Sequence, residues 1–212
     1  MGEKDCRPLP PLAVLVLGLL GERPMHPYEM FQTMIERRED RLAKFRPGTM
    51  YHTVDRLAAQ DLIEVHDVQR EGNRPERTVY SITPAGRRAL DESLEQIIAR
   101  HPAEYPELYL ALSEAQELPR ERVIELLSQR LDAMRADLDD IVTSAAAARD
   151  KGRPEMFYLD AGCRVETLKT QIGWLDDLVD RLKSSTIEWL DDPDSPWRAT
   201  GTGSPHEKAH DR

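Results

Sequence analysis

The spacing of apolar residues predicts helices at the start of the chain. A continuous apolar run at residues 12–20 predicts a short buried helix that ends at Gly21, a residue suited to a helix C-terminus. Apolar residues at steps of three and four predict one face of a second helix beginning at Pro27: Tyr28, Phe31 and Ile35. The run at 12–20 is too short to span a membrane, which needs roughly 20 apolar residues.

A third helix, opening at Pro47 and Gly48, separates an apolar stripe from a polar one. The apolar stripe has the spacing of a helix that rests on a core and consists of Met50, Val54, Leu57 and Ala58. The polar stripe, predicted to be exposed, consists of Thr49, His52, Thr53 and Arg56, with Tyr51 at the margin. Two interpretations of Tyr51 stay open: contact with a partner, or closure of the core beside the next strands.

Two segments rich in β-branched and aromatic residues, 62–68 and 77–83, predict a β-hairpin behind this helix. The segment between them contains the turn formers Gly72, Asn73 and Pro75. Because Pro75 cannot donate to a strand ladder, the loop should project as a tip. Three arginines lie on or beside the tip: Arg70, Arg74 and Arg77. A further helix is predicted to start after the hairpin, with Thr83 as N-cap and Pro84 as its first residue.

Three helices followed by a hairpin with a basic tip outline a winged helix-turn-helix domain, which we place at residues 9–100. In such a domain the third helix enters the major groove, and a basic hairpin tip suits the narrower minor groove. Arginine reaches phosphate or a guanine edge, while tyrosine and histidine donate to phosphate. The predicted DNA-binding residues are Arg46, Thr49, Tyr51, His52, Arg56, Arg70, Asn73, Arg74 and Arg77.

Beyond residue 100 the sequence predicts a second, helical domain, which we place at residues 104–183. Two long helices are joined by a loop with Gly152 and Pro154, so they should form an antiparallel hairpin. Each helix carries seven apolar residues at alternating steps of three and four, which is typical of coiled-coil packing. The stripes are Ile124, Leu127, Leu131, Met134, Leu138, Ile141 and Ala145 in the first helix, and Ala161, Val165, Leu168, Ile172, Leu175, Val179 and Leu182 in the second.

Apolar residues outside these stripes indicate that the helical domain pairs with a second copy of the chain. Leu126, Trp174 and Leu178 would otherwise be left in water. The predicted dimerisation residues are Leu131, Leu138, Val165, Leu168, Ile172, Leu175 and Val179. The fold class is therefore mainly α, with a small β-hairpin wing. Residues 184–212, rich in Pro, Gly, Ser and charge, predict a disordered tail in which Trp189 caps the last helix and Trp197 has no explanation.

The charge distribution leaves nucleic-acid binding open although the net charge is −10. Residues 1–90 hold 14 Lys+Arg and 13 Asp+Glu, and the remainder holds 15 and 26, so the acidity lies in the second part. Cys6 and Cys163 have no ligand-spaced neighbours, so we expect no disulfide framework, no metal site and no cofactor. We expect a cytoplasmic protein, because no signal cleavage site follows the apolar run.

The segments "GTMYHTVDRLAAQDLIE" and "RTVYSITPAGRRAL" resemble PadR-type transcriptional regulators. The matching positions are Gly48, Thr49, Met50, Tyr51, Arg56, Leu57, Tyr80, Ile82, Thr83 and Gly86. Pro27 stands where the family usually has Gly, and His52 replaces a frequent Pro, which bears on the bases that are read. The resemblance is close over residues 9–95 and extends to the remainder in architecture only. It implies a dimer formed by the C-terminal helices, and family members often repress transcription, some of them in response to phenolic compounds or drugs.

The leading hypothesis is a homodimeric, sequence-specific repressor that binds a palindromic operator on double-stranded DNA and is released by a small hydrophobic or aromatic effector. Aromatic residues near the domain junction and in the dimer helices are candidates for lining the effector site, although ordinary core or dimer packing is the more common role for any one of them: Tyr105, Tyr109, Phe157, Tyr158 and Trp174. The alternative is a winged-helix module that binds another protein, which would lack steep salt dependence of duplex affinity. We expect no enzyme, because no catalytic triad, phosphate-binding glycine loop or metal cluster is evident.

Overall fold

The computed structural model describes residues 8–69 and 77–197 and divides the chain into two compact units, within residues 1–103 and 104–212. Most of the described residues are helical, and their strands form a two-stranded antiparallel sheet. The predicted fold class, mainly α with a β-hairpin wing, is confirmed. Among the described helices, none is both long and apolar enough to cross a membrane.

The N-terminal unit has the predicted order of helices and strands. Its elements are α1 (Pro11–Glu22), α2 (Pro27–Glu36), α3 (Pro47–Ala59), β1 (Ile63–Gln69), β2 (Arg77–Ile82) and α4 (Pro84–Ala99), with a 3-10 turn at Glu39–Arg41. Ile63 pairs with Ile82, and the register shifts between Val65 and Asp67. On the other side of β2, Met25 forms a single bridge with Tyr80, with each backbone N–H donating to the other carbonyl.

Helix α1 is the centre of the N-terminal core and packs against α3, α4 and β2. Its apolar residues point in several directions, so it is buried on more than one side. The predicted end at Gly21 is wrong, because the helix continues to Glu22. Gly21 instead permits close packing: an added Cβ would lie 2.6 Å from Nη1 of Arg87, whose Nη2 donates to the Gly21 carbonyl at 3.2 Å.

The face that α2 buries differs from the predicted one. Met30 and Met34 are fully buried, whereas Tyr28 and Ile35 are exposed. Phe31 is only partly buried and packs edge to face on Phe45, with ring centroids 5.8 Å apart. The sequence offers two apolar faces on this helix, and the unbranched methionines fill the core because they adapt to irregular space.

The start of α4 is anchored to the turn that follows α3. The Gly86 N–H donates to the Thr83 hydroxyl at 3.0 Å, and that hydroxyl donates to the Asp61 carbonyl at 2.8 Å. The predicted roles of Thr83 as N-cap and Pro84 as first helical residue are confirmed. A Cβ on Gly86 would lie 2.0 Å from the Leu62 carbonyl oxygen, so only glycine permits this approach. The end of α3 and the beginning of α4 therefore hold each other in place.

The C-terminal unit is built on an antiparallel pair of long helices, as predicted. Its elements are α5 (Glu107–Ser113), α6 (Arg120–Asp150) and α7 (Leu159–Lys183), with 3-10 turns at Ala115–Glu117 and Glu155–Phe157. Gly152 ends α6 with φ of 70°, and its N–H donates to the Arg149 carbonyl. Helix α5 was not predicted, and α7 begins at Leu159 rather than Pro154 because the second 3-10 turn intervenes.

The two predicted apolar stripes face each other between α6 and α7, and this changes the dimer prediction. Four predicted dimerisation residues are buried within the single chain: Leu131, Ile172, Leu175 and Val179. The other three are partly buried: Leu138, Val165 and Leu168. Of these, Leu138 and Leu168 pack against the buried cluster. The prediction that these side chains contact a second copy is therefore wrong for the buried four, because packing inside one chain already removes them from water.

The segment that follows α7 folds back onto the beginning of α6. Arg120 is only 8% exposed, and its guanidinium donates to the Ser185 hydroxyl, the Ile187 carbonyl and the Asp192 carboxylate. The Trp189 indole N–H donates to the Leu118 carbonyl at 2.8 Å. Disorder was predicted from residue 184 onward, and it is wrong for residues 184–197, whereas residues 198–212 lie outside the described part. Trp189 joins the base of the helical pair rather than simply capping α7.

We predict that Asp192→Asn lowers the free energy of unfolding of the C-terminal unit by about 1–3 kcal/mol, because Arg120 stays buried without its charged partner. Asp194→Asn is the matched control, because Asp194 is exposed and its substitution removes the same charge from the same segment. Chemical denaturation of the two variants measures the difference. Equal unfolding free energies would show that the Arg120–Asp192 contact does not stabilise the unit.

Candidate DNA-binding surface

The buried stripe of α3 determines which of its residues face outward. Met50, Val54 and Leu57 are in the core as predicted. Successive residues are about 100° apart, so His52 and Asp55 lie opposite this stripe, and both are exposed. Tyr51 and Arg56 flank them and are exposed as well, Tyr51 to 44%. Of the two interpretations of Tyr51, the structure therefore favours availability to a partner.

Thr53 does not belong to the exposed face, contrary to the prediction. It is only 8% exposed, and its hydroxyl donates to the Thr49 carbonyl one turn earlier at 2.8 Å. The reason is angular: Thr53 lies within about 60° of both Met50 and Leu57 around the helix axis. The pattern of polar and apolar residues missed this because a threonine can be buried when its hydroxyl bonds to the backbone.

The N-terminus of α3 is open and held in shape by Thr49. The Arg46 N–H donates to the Thr49 hydroxyl, which donates to the Arg46 carbonyl, both at 2.8 Å. Thr49 thus fixes the helix start, and its donor hydrogen is already used. Nothing lies within 4 Å of a Cβ built on Gly48. The first-turn N–H groups of Gly48 and Thr49 have no acceptor within the helix, and such groups favour an anion such as phosphate.

The two strands of the β-hairpin differ in burial: β2 packs on the core through Tyr80 and Ile82 and buries Val79, whereas β1 is exposed beyond its first residue. Ile63 is buried, whereas the next five residues of β1 are all exposed, including Val65 and Val68. Arg77, at the start of β2, is also exposed. The predicted tip residues Arg70, Asn73 and Arg74 lie outside the described residues. Strand β1 after Ile63 and the start of β2 thus form the exposed part of the wing, and the described residue Arg77 places a basic side chain there.

Two charged residues of this surface were missed by the sequence interpretation. Lys44 is exposed in the loop before α3, two residues ahead of Arg46, and is a further candidate for phosphate contact. Asp55 is exposed at the middle of the outward face. Burial, and then the Asp55 carboxylate, raise the pKa of the Tyr80 phenol on β2. Helical spacing from the buried stripe would have identified Asp55, which was not included in the predicted polar stripe of α3.

The start of α2 is capped by a histidine beside the wing. Nδ1 of His26 accepts from the Tyr28 N–H at 3.1 Å, and a histidine can accept there only when neutral. Burial, followed by the positive charge of Arg77, lowers the pKa of His26 from its ordinary value of 6.5. The folded protein therefore favours the capping, neutral form.

The five aromatic residues predicted to line an effector site do not converge within one chain. Tyr105 and Tyr109 lie before and within α5, and Leu108 of that helix packs in the cluster that contains Leu182, near the end of α7. Phe157 and Tyr158 precede the other end of α7, whose 25 residues span about 37 Å. Trp174 lies between the two ends. Within a single chain the five candidates therefore do not line one common site, and their role in binding an effector stays a prediction.

The N-terminal part of the chain matches one known protein family. Residues 16–92 match the model of the transcriptional regulator PadR-like family. A comparison with curated protein sequences found no match.

Solved structures with this fold include several regulators. Bacillus subtilis PadR in complex with operator DNA has 20% sequence identity and a TM-score of 0.67, covering 81% of this chain and 98% of that one. The same protein with p-coumaric acid has 17% identity and a TM-score of 0.65, covering 82% and 99%. The Vibrio cholerae virulence activator AphA has 20% identity and a TM-score of 0.65, also covering 82% and 99%. At these identities the likeness shows the fold.

We predict that lowering the pH from neutral to below 6.5 destabilises the N-terminal unit through His26. Its pKa is lower in the folded chain than the ordinary value of 6.5, so the unfolded chain binds the proton first. This contribution to stability is complete above 6.5 and decreases as the pH falls. His26→Asn retains a capping acceptor without titrating. The difference in unfolding free energy between wild type and this variant should change with pH in that window, and a constant difference would contradict the assignment.

Proposed function

We propose that this chain, whose residues 16–92 form a PadR-like domain, is a sequence-specific DNA-binding transcriptional regulator that acts as a homodimer in the cytoplasm. The observation that carries the proposal is the orientation of α3. Its apolar stripe is buried, its N-terminus is open, and its outward face presents His52 and Arg56 beside an exposed wing. A helix with this geometry fits the major groove.

Each predicted contact has a physical role in this proposal. The open N–H groups at Gly48 and Thr49 receive a phosphate, and Arg46 and Lys44 add positive charge near the same end of α3. Tyr51, His52 and Arg56 contact base edges or flanking phosphates. Arg77 and the tip residues Arg70, Asn73 and Arg74 contact the adjacent backbone or minor groove. The solved complex of Bacillus subtilis PadR with operator DNA, which has the same fold, supports this use of the domain.

The homodimer is proposed from apolar side chains that the C-terminal unit leaves exposed. They lie outside the seam between α6 and α7: Tyr109, Leu110, Leu126, Phe157, Leu159 and Trp174. Covering these side chains with a second copy would remove their apolar surface from water. A second copy related by a two-fold axis covers it and sets two α3 helices about one turn of DNA apart, roughly 34–36 Å, for a palindromic site.

The proposed effector is a small hydrophobic or aromatic molecule that binds between copies. The candidate aromatics are spread along α7 and its two ends, so those of different chains must meet to form one site. The complex of Bacillus subtilis PadR with p-coumaric acid supports an effector of this class. Such a ligand changes DNA affinity if it binds one arrangement of the dimer more tightly than the other. We propose that the protein represses transcription and that the effector releases it from DNA. The AphA protein, which has the same fold, is named an activator. A transcriptional reporter assay therefore decides between repression and activation.

We predict that Arg56→Ala weakens binding to a duplex from the region upstream of its own gene by roughly 1–3 kcal/mol, because the guanidinium on the outward face of α3 is lost. The thermal midpoint should change little, since Arg56 is exposed. Arg88→Ala on α4 removes the same charge from another exposed position and serves as control. Fluorescence titration at fixed salt measures both. Equal affinities for the two variants would show that α3 does not contact DNA through Arg56. An affinity for duplex that depends only weakly on salt would favour a protein partner instead.

We predict that Trp174→Asp separates the dimer while the C-terminal unit stays folded. Trp174 is 52% exposed, so a charge there disturbs an interface rather than the core, and it should raise the dimer Kd by about 100-fold or more. Leu175→Asp is the neighbouring comparison; Leu175 is fully buried, so this variant should unfold the unit. Light scattering and circular dichroism distinguish the results. A wild-type monomer at micromolar concentration, or a dimeric Trp174→Asp variant, would contradict this interface.

A further inference from the structure

Asp55 lies at the centre of the outward face of α3, where a carboxylate is unexpected on a surface that meets DNA. It is exposed, and within the described residues its carboxylate forms no hydrogen bond or ion pair. Its neighbours one turn away on the helix are Tyr51, His52, Ala58 and Ala59. Of these, only His52 can carry a positive charge.

Interactions with the rest of the described chain give no reason for an aspartate at this position. Asp55 is the ninth of the 13 residues of α3, too far from the N-terminus to gain from the helix dipole. Aspartate also has a low helix propensity, and its exposure leaves no packing role. After burial, the Asp55 charge is the second cause that raises the pKa of the Tyr80 phenol, which shows that its field reaches the wing but creates no bond there. The side chain is therefore better explained by what lies outside the chain.

In a major groove, few groups can receive this carboxylate. Phosphates and most base-edge atoms are acceptors or carry negative charge, and the hydrogen-bond donors are the amino groups of cytosine N4 and adenine N6. The adenine amino group lies beside the acceptor N7, which repels the second carboxylate oxygen. The cytosine amino group lies beside C5–H, which does not. Cytosine is therefore the better partner.

We propose that Asp55 determines specificity by accepting a hydrogen bond from the N4 amino group of one cytosine in each half-site. This inference rests on the proposed DNA-binding function and adds one base preference to it. Asp55 also acts by repulsion: where no amino group is present, the carboxylate faces acceptors and phosphates without compensation, so binding to other sequences is weakened. The basic residues at the N-terminus of α3 then supply affinity for any duplex, and Asp55 limits tight binding to sequences that offer a cytosine amino group at its position.

Selection from a random-sequence duplex library by the full-length protein tests the proposal. Wild type should enrich sequences with a cytosine at one position of each half-site. Asp55→Asn should change that position to adenine, because an asparagine amide pairs with adenine N6 and N7. Wild type should bind sites with cytosine at this position about tenfold more tightly than sites with another base, and Asp55→Ala should lose this difference. Asp55→Ala should also bind non-specific duplex more tightly.

Asp91→Asn, which removes an exposed charge from α4, controls for net charge and should enrich the wild-type sequences. Circular dichroism confirms that each variant is folded, as expected for an exposed position. If Asp55→Ala and wild type enrich the same sequences with the same preference at every position, the proposal is overturned while the DNA-binding function stands. If wild type enriches no sequence, the proposed function fails, and the role of Asp55 fails with it.

Discussion

The burial of Met50, Val54 and Leu57 in the core around α1 is the constraint on which the candidate surface depends. Because this stripe fixes the rotation of α3, it also fixes the outward direction of His52, Asp55 and Arg56. The close approach of Gly86 to the Leu62 carbonyl holds the far end of α3 against α4. The hydroxyl of Thr49 defines the near end. The rotation of α3 and the positions of its two ends are thus determined by contacts that are not part of its outward face.

Periodicity predicted most of the helices, the hairpin and the capping of α4 by Thr83, because these depend on local residue order. It was misleading where a helix carried two apolar faces, as in α2, where Met30 and Met34 are buried instead of Tyr28 and Ile35. Thr53 was misassigned because a polar residue can enter the core when its hydroxyl bonds to the backbone. Asp55 was overlooked although its spacing from the buried stripe already places it on the outward face of α3.

In the C-terminal unit the sequence predicted the helical pair but not how its apolar residues are divided. The heptad residues are largely buried inside one chain, and the apolar surface that stays exposed is carried by others such as Trp174. Composition also failed after residue 184, where Arg120 and Leu118 hold a segment rich in proline and charge through Asp192 and Trp189. Contacts between residues about 70 positions apart cannot be read from local composition. The proposed effector site is placed between copies for a related reason, because the aromatics of one chain lie too far apart to form one site.

Backbone amide chemical shifts of the protein with and without a duplex selected from the random library would test the central claim, that the outward face of α3 meets DNA, most directly. The account predicts that the largest changes cluster in residues 46–56 and at Arg77, while the amides of Met30 and Met34 in the core change little. Changes confined to residues 104–197, with α3 unaffected, would contradict it. The orientation of α3 would then have to be explained by a different partner.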